Sequence, residues 1–149
     1  MKFYKIRAFI LIHISRILSA ILNVELPPVV SVTALIKKNQ ELLFIDLSYL
    51  NGIGLPGGLV KVNEDIGNAL KREIKEETGF DVINSKYLFS IPSSFRDIPT
   101  ISIVFEVEVS GELNSSNEGK PFWSSPTNEV IEKLAYDGAK VVVRKYLNI

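Results

Sequence analysis

The chain has no cysteine, which excludes disulfides, thiolate nucleophiles and cysteine-ligated metals and is compatible with a cytoplasmic setting. It has no net charge: 17 Lys+Arg face 17 Asp+Glu, so no global field points to nucleic acid or to an acidic surface, and any electrostatic function is local. It lacks repeats, low-complexity runs and the interleaving of basic and aromatic residues that binds nucleic acid polymers. Its one histidine, His13, reads as a solvated bystander, not a ligand. What remains is ordinary globular composition, 46% hydrophobic and 23% charged over 149 residues, enough for one domain with a sizeable core.

The first two dozen residues stand apart. FYKIRAFILIHISRILSAIL (3–22) is long enough to span a bilayer, about 30 Å as a helix, but Arg7 and Arg16 lie inside it. Each centrally placed arginine costs about 2.5–3.5 kcal/mol on insertion. As a helix the segment is amphipathic, with Lys5, His13, Arg16, Ser19 and Asn23 on one side and Phe3, Ile6, Ile10, Ile14, Ile17 and Ile21 on the other. Such a stripe suits docking on the chain's own domain, a homodimer contact through residues 3–22, or peripheral attachment to a membrane surface. A signal peptide fits less well, because His13 and Arg16 break the apolar run and Leu18-Ser19-Ala20 is a poor cleavage site. Pro27-Pro28 ends the segment, so residues 1–26 are expected to be a helical arm and 27–149 the domain.

Along the domain, VVSVTALI (29–36) and ELLFIDL (41–47) read as a hairpin around a turn at 37–40. Residues 48–58 read as glycine-rich loop, and 65–78 as a helix capped by Asp65 and stopped by Gly79. Residues 80–91 and 100–109 alternate as strands joined by IPSSFRDIP; 111–120 is a polar loop, and 126–147 is helical with a break at Asp137-Gly138. This order predicts an α+β fold, an α/β/α sandwich with a mixed sheet, preceded by an amphipathic helix.

The chemistry concentrates in the helix at 65–78. On a 3.6-residue repeat, Glu73 falls within about 60° of Ile66, Leu70, Glu76 and Glu77, so the apolar stripe runs into three carboxylates. They lie near the negative end of the helix dipole, and Glu73 and Glu77 form an unfavourable i,i+4 pair. Arg72 alone cannot balance them. A hard divalent cation, Mg²⁺ or Mn²⁺, can; it keeps waters and is completed by substrate phosphates, which implies a phosphate-bearing ligand.

Residues 58–80, GLVKVNEDIGNALKREIKEETGF, resemble the Nudix box, G-x5-E-x7-R-E-U-x-E-E-x-G-U, where U is a bulky aliphatic or aromatic residue. Gly58, Glu64, Arg72, Glu73, Ile74, Glu76, Glu77, Gly79 and Phe80 occupy every specified position, after a Leu55-Pro56-Gly57 lead-in. The resemblance implies an α/β/α sandwich from about residue 27. It also implies a Mg²⁺- or Mn²⁺-dependent hydrolase of a nucleoside diphosphate linked to another moiety, such as a nucleoside triphosphate, ADP-ribose or a sugar nucleotide. Carried over by position, the Gly57 carbonyl and Glu73, Glu76 and Glu77 hold metal. Glu73 accepts the proton of the attacking water and Arg72 orients Glu73; Glu64 supports the site from outside, and Gly58 makes a close turn beneath it.

The chain departs from the family at two positions, Lys61 and Asn63, where many members carry glutamate and glycine. Some members take a base from a later loop with two glutamates three apart; here Glu118 is the candidate, and Pro121 stands where the second would be. Arg96 and Phe95 are candidate substrate contacts. Tyr49, Tyr87, Phe89, Phe122 and Trp123 could also stack a base, although core packing is the default for each. The rival expectation is a catalytically inactive Nudix-like domain that binds a nucleotide or a protein, tethered by its N-terminal helix.

Overall fold

Strand β1 (Val29–Lys38) joins the two parts of the sheet, because its first eight residues and its last two have different neighbours. The computed structural model describes residues 27–47, 51–95, 98–114 and 119–149, backbone only at 95 and 98, together with positions 10, 13, 14, 16–18, 20, 21 and 23 of the arm. After β1 come β2 (Glu41–Leu47), β3 (Gly52–Gly54), β4 (Gly57–Leu59), α1 (Ile66–Thr78), β5 (Asp81–Phe95), β6 (Ile98–Ser110), β7 (Lys120–Ser124), α2 (Asn128–Glu132) and α3 (Asp137–Leu147). β1 runs parallel to β6 from Val29↔Thr100 to Ile36↔Val107 and antiparallel to β4 over Ser31–Thr33. Only Lys37 and Lys38 pair with β2, which carries β3 and β7 on its own edges. Among the described residues the sheet is therefore mixed and seven-stranded.

Period-two alternation in β1 sends side chains to both faces. Val32, Ala34 and Ile36 pack with Ala69, Leu70 and Ile74 of α1; Leu35 packs with Val104, Val142 and Val143 under α3. That is the expected α/β/α sandwich. Leu70 and Ile74 are almost wholly buried, each contributing about 2–3 kcal/mol relative to an exposed position.

Helix α1 has the expected ends. Asp65 accepts from the amides of Gly67 and Asn68, and Gly79 adopts the left-handed conformation at φ +80°. Other boundaries differ. The supposed loop at 48–58 contains β3 and β4, whose glycines give no side-chain pattern and which are held by backbone pairing. β5 continues to Phe95 through the polar Ser93 and Ser94 because β6 pairs with it throughout. β7, with Pro121 in it, carries no alternation signal; it forms by lying against β2. The C-terminal helical stretch breaks at 133–136, and Asp137-Gly138 opens α3 instead of ending its predecessor.

The described arm positions 10, 13, 14, 16–18, 20 and 21 are helical. Ile10, Ile14, Ile17, Leu18 and Ile21 are exposed, between 49% and 72%. No helix among the described residues is long and apolar enough to cross a membrane.

Candidate active site

The loop from β4 into α1 is built around one guanidinium. Arg72 donates from Nε and Nη2 to the two oxygens of Glu64 (2.6 and 2.8 Å), from Nη2 to the Leu59 carbonyl (3.1 Å) and from Nη1 to Glu73 Oε1 (2.5 Å). The amide of Lys61 donates to Glu64 as well (2.8 Å). Arg72 thus fastens the loop to the helix and fixes the rotamer of its neighbour Glu73, a use of arginine's planar fork that lysine cannot reproduce. The Arg72 hydrogen bond holds the Glu64 carboxyl down at about 2, and the same bond, followed by that to Glu73, raises Arg72. Both groups are charged at any working pH.

Glu73 is 2% exposed and lies beneath Gly58. Glu77 is also buried, and its Oε2 accepts from the Gly57 amide at 2.9 Å; Glu76 is half-buried on the same side of α1. Gly57 pairs with Thr33 and Gly58 with Val32, so β1 sets the height of the loop above the carboxylates. The structure therefore brings Gly57, Gly58, Glu64, Arg72, Glu73 and Glu77 into one linked set.

Among the described residues, no three acidic or histidine side chains form a ready-made ion cage. Arg72 engages one oxygen of Glu73, and the Gly57 amide engages one of Glu77. The donor set still fits a hard cation. Two buried carboxylates and a half-buried third lie on one side of the helix, all donors are oxygen, and a side chain at Gly58 would fill the cradle over Glu73. Mg²⁺ retains several waters and needs only one or two protein carboxylates.

Both departures have local explanations. Asn63 sits at φ +61°, a left-handed turn that glycine or asparagine accepts readily. Lys61 is exposed, and the contact it makes to Glu64 comes from its backbone. Glu118, Arg96 and Tyr49 lie outside the described residues, as does the side chain of Phe95. Of the other aromatics, Phe122 packs on Phe44, Trp123 on Phe80, and Tyr87 against Phe105; Phe89 lies under Lys145.

Residue types alone do not reveal the Leu59 carbonyl or the Gly57 and Lys61 amides, because these are backbone groups. Nor do they reveal a groove of about 720 Å³ that opens where β1 leaves β6 for β2, lined by Lys37, Lys38, Lys86, Phe80 and Trp123 among others. Lys38 sits over the Trp123 ring at 5.8 Å.

A family model described as the NUDIX domain matches residues 25–144, and the chain belongs to the Nudix family. It is accordingly a Nudix-type pyrophosphohydrolase. An ADP-ribose pyrophosphatase from Methanocaldococcus jannaschii is 36% identical over 124 residues, covering 78% of this chain and 72% of that one. A solved MutT protein from Bacillus halodurans superposes with a TM-score of 0.66 at 26% identity, covering 81% and 83% of the two chains. A Nudix family member from Chromobacterium violaceum superposes with a TM-score of 0.68 at 24% identity, covering 84% and 80%, a likeness of fold alone.

Proposed function

We propose that residues 27–149 are a metal-dependent hydrolase domain that cleaves the pyrophosphate linkage of a nucleoside diphosphate joined to another moiety. ADP-ribose is the first substrate to test, followed by nucleoside triphosphates and sugar nucleotides. The 36% identical ADP-ribose pyrophosphatase supports that order. The observation that carries the reading is the burial of Glu73 and Glu77 against Gly58 and Gly57, with Glu73 steered by Arg72.

In this reading Glu73, Glu76, Glu77 and the Gly57 carbonyl hold Mg²⁺ or Mn²⁺. When bound, the metal supplies charge stabilisation for the phosphates and a lowered pKa for water. Glu73 takes the proton of the attacking water. The water oxygen bonds to one phosphorus as the bridging P–O bond breaks, giving a nucleoside monophosphate and the phosphorylated remainder. Arg72 holds Glu73 in position, and Glu64 holds Arg72. Glu118 is a further candidate ligand or base, and Arg96 and Phe95 are candidate substrate contacts. No observation favours the inactive binding domain.

The test is monophosphate release from a panel of ADP-ribose, nucleoside triphosphates and sugar nucleotides with Mg²⁺, with Mn²⁺ and with EDTA. Turnover of one class that EDTA abolishes is the expected result. A folded protein that cleaves none of them, or cleaves equally well in EDTA, overturns the proposal. Cytoplasmic placement, peripheral at a membrane, belongs to the proposal too.

A further inference from the structure

The arm combines two complementary features, an exposed aliphatic face at its described helical positions and an excess of basic residues in its sequence. Ile10, Ile14, Ile17 and Ile21 follow an i, i+4, i+7, i+11 spacing that places them on a single face, and each is about half exposed or more in the folded chain, with Leu18 beside them. The domain's own core leaves this face uncovered. An aliphatic stripe of this length is unfavourable in water and calls for an apolar partner.

Charge then selects the partner. Residues 1–26 contain Lys2, Lys5, Arg7 and Arg16 against a single acidic residue, Glu25, which leaves residues 27–149 with 13 basic against 16 acidic, a net −3. The overall neutrality of the chain therefore hides a dipole: a +3 arm on a −3 domain. Pairing two arms stripe to stripe covers the isoleucines but leaves the basic side unmatched, whereas an anionic surface meets both. Docking on the domain satisfies charge but requires a matching apolar strip. The exposed large aliphatics described there, Val62, Ile66, Ile83, Ile101, Val141 and Ile149, are scattered over a loop, a terminus and four different elements. Bilayer spanning places Arg7 and Arg16 in hydrocarbon.

We propose that the arm binds an anionic lipid surface. The isoleucine face lies in the acyl boundary, the lysines and arginines contact headgroup phosphates, and the helix lies in the interfacial plane. The acidic domain is held off the surface by the same field, so the arm alone makes the attachment. Asn23, at φ +53°, and Pro27-Pro28 stand between the arm and β1.

The experiment is co-sedimentation of the full chain with phosphatidylcholine vesicles, with and without phosphatidylglycerol, at low and raised NaCl. Two variants accompany it: Lys2→Gln/Lys5→Gln/Arg7→Gln, and Ile14→Ser/Ile17→Ser/Ile21→Ser. The expected result is binding that requires phosphatidylglycerol, weakens with salt and falls roughly tenfold to a hundredfold in the charge variant. The serine variant should also lose binding, while circular dichroism shows that the domain of each variant stays folded. Equal binding to neutral vesicles, a wild-type chain left in the supernatant, or binding that resists both salt and alkaline carbonate overturns the proposal. So does a dimer, detected by sedimentation velocity, that the serine variant abolishes and vesicles do not compete away. Vesicle binding needs no turnover, so failure of the hydrolase reading leaves this test intact.

Discussion

Glu73 lies directly beneath Gly58: a β-carbon at position 58 would stand 2.5 Å from the Glu73 carboxyl carbon and 2.6 and 2.8 Å from its oxygens. Arg72 fixes the same carboxylate by donating to its Oε1. The carboxylate is held between a glycine that must be bare and an arginine that must be forked, which defines its position more tightly than its helix alone would.

Gly58→Ala should therefore displace Glu73 without destroying the sheet. A loss of about 1–3 kcal/mol from overpacking is expected, with a fall in kcat of about 100-fold from misplacement of the carboxylate. Urea unfolding and steady-state kinetics on the same sample test this. Wild-type turnover in a folded Gly58→Ala protein would show that the placement of Glu73 does not matter.

Glu73→Gln keeps the shape and burial of the side chain but removes its ability to take a proton. Turnover should drop roughly 10²–10⁴-fold with near-native circular dichroism and with nucleotide still bound. A variant with unimpaired kcat would move the role of base elsewhere, with Glu118 the next residue to change.

Glu64 ties acid stability to the Arg72 clamp. Its carboxyl titrates near 4.5 when unfolded and at about 2 when folded, so its contribution is complete above pH 4.5 and disappears as pH falls towards 2. Glu64→Gln should lose about 2 kcal/mol at neutral pH and show a flatter stability profile between pH 4.5 and 2. Urea midpoints across that range, for both proteins, measure the difference. Parallel profiles would remove the clamp from acid stability.

Tyr146 gives the opposite sign at the alkaline end. Burial, and then its 2.6 Å hydrogen bond to Glu106, push its phenol from 10 up to about 12. Stability from this pair is fully present below pH 10 and is lost as pH rises towards 12. Tyr146→Phe should lose about 1–2 kcal/mol at neutral pH and be less sensitive to alkali. An ultraviolet difference titration of the two proteins isolates this tyrosine from the other four.

Much of the site could be read from the order of residues because helix α1 is a local object. The positions of Glu73, Glu76 and Glu77 relative to Ile66 and Leu70 follow from the 3.6-residue repeat, and the ends at Asp65 and Gly79 from capping chemistry. β3, β4 and β7 were not legible. Their glycines and Pro121 carry no pattern, and they exist as strands because β1 and β2 offer them open edges. The end of β5 at Phe95 is likewise set by its partner β6.

The sequence by itself determined that three carboxylates share the buried face of a short helix and that the first 24 residues carry positive charge without any acid, since both follow from local spacing and composition. Only the tertiary structure decided which backbone meets those carboxylates. β1 pairs with Gly57 and Gly58 across more than twenty residues of chain, and this pairing lowers one amide onto Glu77 and one bare α-carbon onto Glu73. Such contacts depend on strand register, which the global packing of α1 and α3 against the sheet sets and which no local preference encodes.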